Sequence, residues 1–175
     1  MLKPLKDKYI VEPVSIYGKT SSGIYTAGGK KDIPVKAVVV SGDGDAAPGD
    51  TVYIKKYSWK EFRYDEKDLL CIKDQDILAI ERAGEIRAPA GSIIVKLNYD
   101  VKDGRIVVPE KYRAVRSGIR AEVVAVHADL PYRIYPGDNI VILRMTDGTH
   151  EGREIDTDQG KMWSVYEKWV EGIYE

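Results

Sequence analysis

The chain has 175 residues, 43% hydrophobic and 31% charged, with a formal net charge of −1. That balance argues against bulk attraction to nucleic acid or acidic membranes, and no apolar run approaches the roughly 18 residues that span a bilayer. The single Cys71 excludes an intrachain disulfide, and the opening MLKPLKDKYIVEP lacks an apolar h-region, so the expectation is a cytoplasmic protein without a signal peptide.

Asp7 to Glu12 reads as a first strand. The stretch Ser15 to Lys30 is rich in Gly, Ser and Thr and cannot bury itself, so it is expected to be a long mobile loop. Within it, Gly23-Ile24-Tyr25 forms a short apolar patch suited to docking. Val35 to Val40 is a β-branched run and predicts a buried strand. Ser41 to Asp50 is turn chemistry ending in Pro48-Gly49-Asp50. Thr51 to Lys55 alternates like a half-buried strand, Glu61–Tyr64 and Leu69–Ile72 add two short strands, and Asp76 to Glu81 closes the set. Helical periodicity is nearly absent, and many short strands with Gly and Pro turns predict an all-β barrel.

Arg82 to Gly91 is a small-residue linker, after which the pattern restarts at an offset of about 84. Ser92 to Lys96 matches Lys8 to Glu12, and Ala121 to Val126 matches Val35 to Val40. Pro136-Gly137-Asp138 and the strand after it match Pro48-Gly49-Asp50 and its strand. Met162–Val165 and Val170–Glu175 match Leu69–Ile72 and Ile77–Arg82. Matches in register predict an internal duplication: barrel 1 over residues 1–82, a linker over 83–91 and a diverged barrel 2 over 92–175. The second copy also has a loop between its first two strands, Asn98 to Gly118, carrying Ile106-Val107-Val108.

The motifs of the first copy resemble the GroES or chaperonin-10 family of co-chaperonins. Pro4-Leu5-Lys6-Asp7-Lys8-Tyr9-Ile10-Val11 is similar to the family's opening P-L-x-D-R-V-[IL]-V. Lys19 to Ile24 falls where the family has its mobile-loop motif K-[ST]-x-G-G-I, with Ser22 in place of the first Gly. Pro48-Gly49-Asp50-Thr51-Val52 and Asp76-Ile77-Leu78-Ala79-Ile80 complete the likeness. The resemblance implies two GroES-like β-barrels in tandem, each with a mobile loop between its first two strands. It implies a non-enzymatic co-chaperonin that assembles into a homo-oligomeric ring and caps an ATP-dependent, GroEL-like chaperonin to assist protein folding. By position, Gly23, Ile24, Tyr25 and Thr26 would dock on the chaperonin, and Ile106, Val107 and Val108 would do so from the second loop. Tyr25 and Thr26 depart from the family's Ile-Val-Leu preference. Ser41 to Gly49 is too short for the roof hairpin of the bacterial family, so a GroES-like structural or assembly ring, possibly of viral origin and without chaperonin binding, is the alternative.

Other chemistry has little behind it. Asp156-Thr157-Asp158 with Glu167 faintly resembles a calcium loop and reads better as a hairpin turn. His127 and His150 have no Cys partners for zinc, and no dinucleotide or phosphate-loop motif is present. No cofactor, metal or nucleic-acid partner is therefore expected. Trp59, Trp163 and Trp169 are expected in the core or an interface.

Overall fold

In a computed structural model the described residues are 3–15, 35–55, 57–98, 119–131, 133–142 and 152–174. They form strands, turns and two single turns of 3-10 helix, with no α-helix among them. The first sheet contains β1 (Lys8–Ser15), β2 (Val35–Gly42), β3 (Thr51–Ile54), β4 (Lys60–Tyr64), β5 (Lys67–Lys73), β6 (Ile77–Arg82) and β7 (Glu85–Arg87). The second contains β8 (Ser92–Leu97), β9 (Ile119–Val126), β10 (Asn139–Ile142), β11 (Gly152–Thr157), β12 (Gly160–Tyr166) and β13 (Val170–Tyr174).

Both sheets are antiparallel, and their strand orders coincide. The first runs β4-β5-β1-β2-β3-β6-β7 and the second β11-β12-β8-β9-β10-β13. Local irregularities coincide too. A register shift at Ile10/Val11 has its counterpart at Ile94/Val95, and one at Tyr53/Ile54 has its counterpart at Val141/Ile142. Such bulges bend a strand and let a sheet curl over its own inner face. A 3-10 turn precedes β6 at Asp74–Asp76 and β13 at Glu167–Trp169.

The Pro-Gly-Asp turns are superimposable in their bonding. Val39 N–H donates to the Asp50 carbonyl and Gly49 N–H to the Val39 carbonyl, both at 2.8 Å; Val123, Asp138 and Gly137 repeat this at 2.8 Å. Each Asp carboxylate accepts the N–H three residues back, Ala47 at 2.7 Å and Tyr135 at 2.8 Å. Gly49 and Gly137 lie at φ of 92° and 94°, where a Cβ is strained. The Pro-Gly-Asp signal is thus a backbone requirement and recurs for that reason.

Each sheet has its own apolar interior. Tyr9, Val11, Val39, Val52, Leu70 and Ile80 belong to the first, against which Trp59 packs. Ile93, Val95, Val123, Ile140, Trp163 and Val165 belong to the second, with Trp169 at its margin. Trp163 is therefore a core side chain, and Trp59 and Trp169 are half-buried against the two cores. A third cluster joins the outer faces of the two sheets. Tyr53, Leu78, Ala79, Ile86 and Ala88 of the first meet Ile94, Ala125, Ile155 and Met162 of the second.

The structure corrects three expectations. Thr51 to Lys55 is not half-buried, because Val52 and Ile54 face the interior while Tyr53 is buried against the other sheet. Val35 to Val40 is not uniformly buried: Val38 is half-buried and Val40 exposed. The stretch 83–91 is not bare linker. Glu85–Arg87 forms β7, paired with β6 through Ile80↔Arg87 and Arg82↔Glu85, and Ile86 lies in the seam. The Asp156-Thr157-Asp158 segment is the expected hairpin turn, with Thr157 opposite Gly160.

Candidate functional site

The candidate docking residues Gly23, Ile24, Tyr25 and Thr26, and Ile106, Val107 and Val108, lie outside the described residues. The strands that carry the two segments are described. Residues 16–34 join β1 to β2, which are hydrogen-bonded neighbours with Pro13 opposite Ala37 and Ser15 opposite Lys36. Residues 99–118 join β8 to β9 in the same way, with Leu97 opposite Ala121 and the Asn98 N–H donating to the Arg120 carbonyl at 2.9 Å. Both segments therefore leave and re-enter their sheet across one inter-strand spacing, about 5 Å. Such roots hold the ends of a connection while leaving its middle to be specified by its own residues or by a partner.

The root of the first segment is tied to the other sheet. The Lys36 ammonium lies 3.2 Å from the Asp158 carboxylate at the tip of the β11–β12 hairpin and 3.5 Å from Glu81. It also sits 5.5 Å from the centre of the Tyr53 ring. Burial works against its charge, but the bonds to Asp158 and Tyr53 and the field of Glu81 outweigh burial and raise its pKa. The Tyr53 hydroxyl donates to Glu81 at 2.8 Å, and burial first, then this bond, pushes the phenol up to about 12. Beside Asp158, the Gln159 side-chain amide donates to the Gly84 carbonyl at 2.8 Å. The seam is thus apolar in its middle and polar at this edge. No local sequence signal marks Lys36 and Asp158 as partners, since they lie far apart in the chain.

A second polar contact crosses the seam where the β2–β3 turn meets the second sheet. The Asp45 carboxylate accepts the Ala90 N–H at 3.1 Å and lies 3.4 Å from the His127 ring. Arg82 reaches the same turn, forking onto Asp50 at 2.6–3.1 Å and onto the Asp45 carbonyl at 3.2 Å. That fork holds the Asp50 carboxyl below the usual carboxylate range. Among the described residues no cluster of three or more His, Cys, Asp or Glu is placed to hold a metal. Among the described residues no helix is long and apolar enough to cross a membrane.

Residues 16–34 and 99–118 thus occupy equivalent places, between the first two strands of their sheets. The protein family described as the Chaperonin 10 Kd subunit matches residues 1–81. The co-chaperonin GroES of Listeria innocua is 36% identical over 94 residues, spanning 47% of this chain and all of that protein. The co-chaperonin GroES of Halalkalibacterium halodurans is 37% identical over 92 residues, spanning 46% of this chain and 98% of its own. The Lacticaseibacillus zeae protein is 38% identical over 92 residues, spanning 46% of this chain and 99% of its own.

Proposed function

This chain belongs to the chaperonin 10 family of co-chaperonins, a non-enzymatic chaperone family, and from that premise we propose that it is a ring-forming lid for an ATP-dependent chaperonin. Two barrels in tandem, residues 1–82 and 92–175 about the 83–91 connection, present the docking segments. Ile24, Tyr25 and Thr26 within Gly23–Thr26, and Ile106, Val107 and Val108, are the anchors. The observation that carries this reading is the full-length likeness of the first half to whole GroES proteins, joined to the hairpin roots that flank the docking motif. The strand order of the second sheet, which repeats that of the first without β7, supports the tandem arrangement.

The energetics suit a reversible lid. Burying two or three apolar side chains yields about 4 to 8 kcal/mol. Ordering six loop residues costs about 6 to 12 kcal/mol. One segment alone is thus a weak ligand, whereas several held on one ring gain through effective concentration. Native mass spectrometry of the chain with a GroEL-like chaperonin and nucleotide tests the proposal. A stable complex with an oligomer of this chain is expected. An oligomer that binds no chaperonin under any nucleotide would instead favour a structural ring, toward which Thr26 and the short Ser41 to Gly49 turn point.

A further inference from the structure

The middle of the seam between the two sheets is apolar, but one end of it is not. A cavity of about 100 Å³ opens there, between the turn that leads into β6 and the outer face of β11 and β12. Asp74, Ile77 and Leu78 line it from the first sheet, and Arg153, Ser164 and Tyr166 from the second. It has room for several water-sized groups, which is the scale of a small polar molecule. We propose that this cavity binds a small zwitterion of the amino-acid class, its ammonium held by Asp74 and its carboxylate by Arg153 and Ser164. The proposal goes beyond the lid reading and does not depend on it.

Strand register builds the wall from the second sheet. Ser164 stands opposite Arg153 on β11 and opposite Ile94 on β8. Side chains directly opposite in an antiparallel pair share a face, so both polar groups stand on the side that Ile94 turns to the seam. Ser164 is only 8% exposed, and its hydroxyl makes no hydrogen bond among the described residues. It is not sealed off, because Asp74 Oδ1 is the one described side-chain atom that is both fully buried and unpartnered. A hydroxyl so placed is costly unless an incoming group bonds to it. A guanidinium carries five N–H donors, so Arg153 can take a ligand carboxylate beside the interaction it already makes. The repeat does not demand this pair. In the first sheet the same places hold Lys60 opposite Cys71, with Cys71 opposite Ile10.

The wall from the first sheet has the opposite charge. Asp74 lies in the single turn before β6 and is half-buried. Among the described residues no cation pairs with its carboxylate, and its Oδ1 is buried without a donor. An ammonium supplies both the charge and the donors that this wall lacks. Ile77 and Leu78 are buried beside it and give the cavity an apolar floor suited to a short side chain. A ligand of one sign would meet attraction on one wall and repulsion on the other, so the pairing of Asp74 with Arg153 selects a molecule that carries both signs. Touching both sheets, such a ligand also ties them together.

The test is saturation-transfer difference NMR of the full chain, which reads weak binding even to a large oligomer. The probes are L-alanine, propionate, which lacks the ammonium, and ethylammonium, which lacks the carboxylate. Saturable transfer to alanine is expected, with an affinity at least about tenfold above that of either single-charge probe. Asp74→Asn is expected to weaken alanine binding at least about tenfold without weakening propionate, and Ser164→Ala to weaken both. Arg153→Gln, at an exposed position, is expected to do the same as Ser164→Ala and keeps the test open if a buried variant fails to fold. The absence of saturable transfer to alanine would mean a cavity for water only and would overturn the proposal. Propionate binding as tightly as alanine, or alanine binding that Asp74→Asn leaves unchanged, would overturn it as well. None of these results bears on chaperonin binding, so the lid reading is tested apart.

Discussion

The two sheets share strand order, bulges and Pro-Gly-Asp turns, yet they fill the same position in opposite ways. In the first, Tyr9 on β1 stands opposite Gly42 on β2; in the second, Ile93 on β8 stands opposite Val126 on β9. Tyr9 is buried at 1% exposure and covers the space above Gly42 and Gly44, so that a Cβ at Gly42 would run into its ring. Its hydroxyl receives the Ala46 N–H at 3.4 Å. The second sheet fills the same space with two β-branched side chains. The fold thus fixes the summed volume at this position and leaves its division between the strands free. Arg82 is the other asymmetry. It braces Asp50 in the first turn, whereas the Asp138 carboxylate accepts the Tyr135 backbone N–H.

The largest expected effect comes from forcing one solution onto the other. Gly42→Val alone should destabilise the chain by about 3 kcal/mol through overpacking against Tyr9. Gly42→Val with Tyr9→Ile, which copies the second sheet, should recover at least half of that loss in urea denaturation. Additive losses would show that the two residues are not one packing unit.

Next comes the pair of turns. Asp50→Ala should cost about 2 to 3 kcal/mol, because it removes the Arg82 fork and the Ala47 cap together. Asp138→Ala should cost only about 1 kcal/mol, the worth of a cap. The Asp50 pKa is lowered on folding, so its contribution is present above the ordinary value of 3.8 and fades as pH falls through the depressed value. The gap between the two variants should therefore narrow in acid. Equal losses at neutral pH would remove the asymmetry.

A smaller effect appears in alkali. Burial pushes the Tyr9 phenol up to about 12, as it does that of Tyr53, and both side chains belong to the first sheet. A pKa raised on folding means that stability is full below the ordinary value of 10.0 and is lost between there and about 12. Tyr9→Phe should flatten that part of the stability–pH curve. The counterparts Ile93 and Val141 do not titrate, so Ile93→Val should leave the slope unchanged. Smallest of all, Asp158→Asn should cost no more than about 1 kcal/mol, since the carboxylate is 83% exposed.

Legibility followed the range of the interactions. The Pro-Gly-Asp turns and the strands around them could be read because a positive φ at Gly49 and Gly137 and the Asp cap are local demands. The seam could not. Tyr53 looks like the solvent side of an alternating strand, yet it is buried in a cluster with the distant Ile94, Ala125, Ile155 and Met162. For the same reason Ile86 and Ala88 read as linker residues and turned out to be seam. The candidate docking residues rest on motif alone, since Ile24 and Ile106 lie outside the described residues.

Amide hydrogen exchange of the full chain, with and without a GroEL-like chaperonin and nucleotide, tests the lid function most directly. Slowed exchange in residues 23–26 or 106–108 on adding chaperonin, with both sheets unchanged, is the predicted result. Identical exchange in both segments with and without a saturating chaperonin would contradict it.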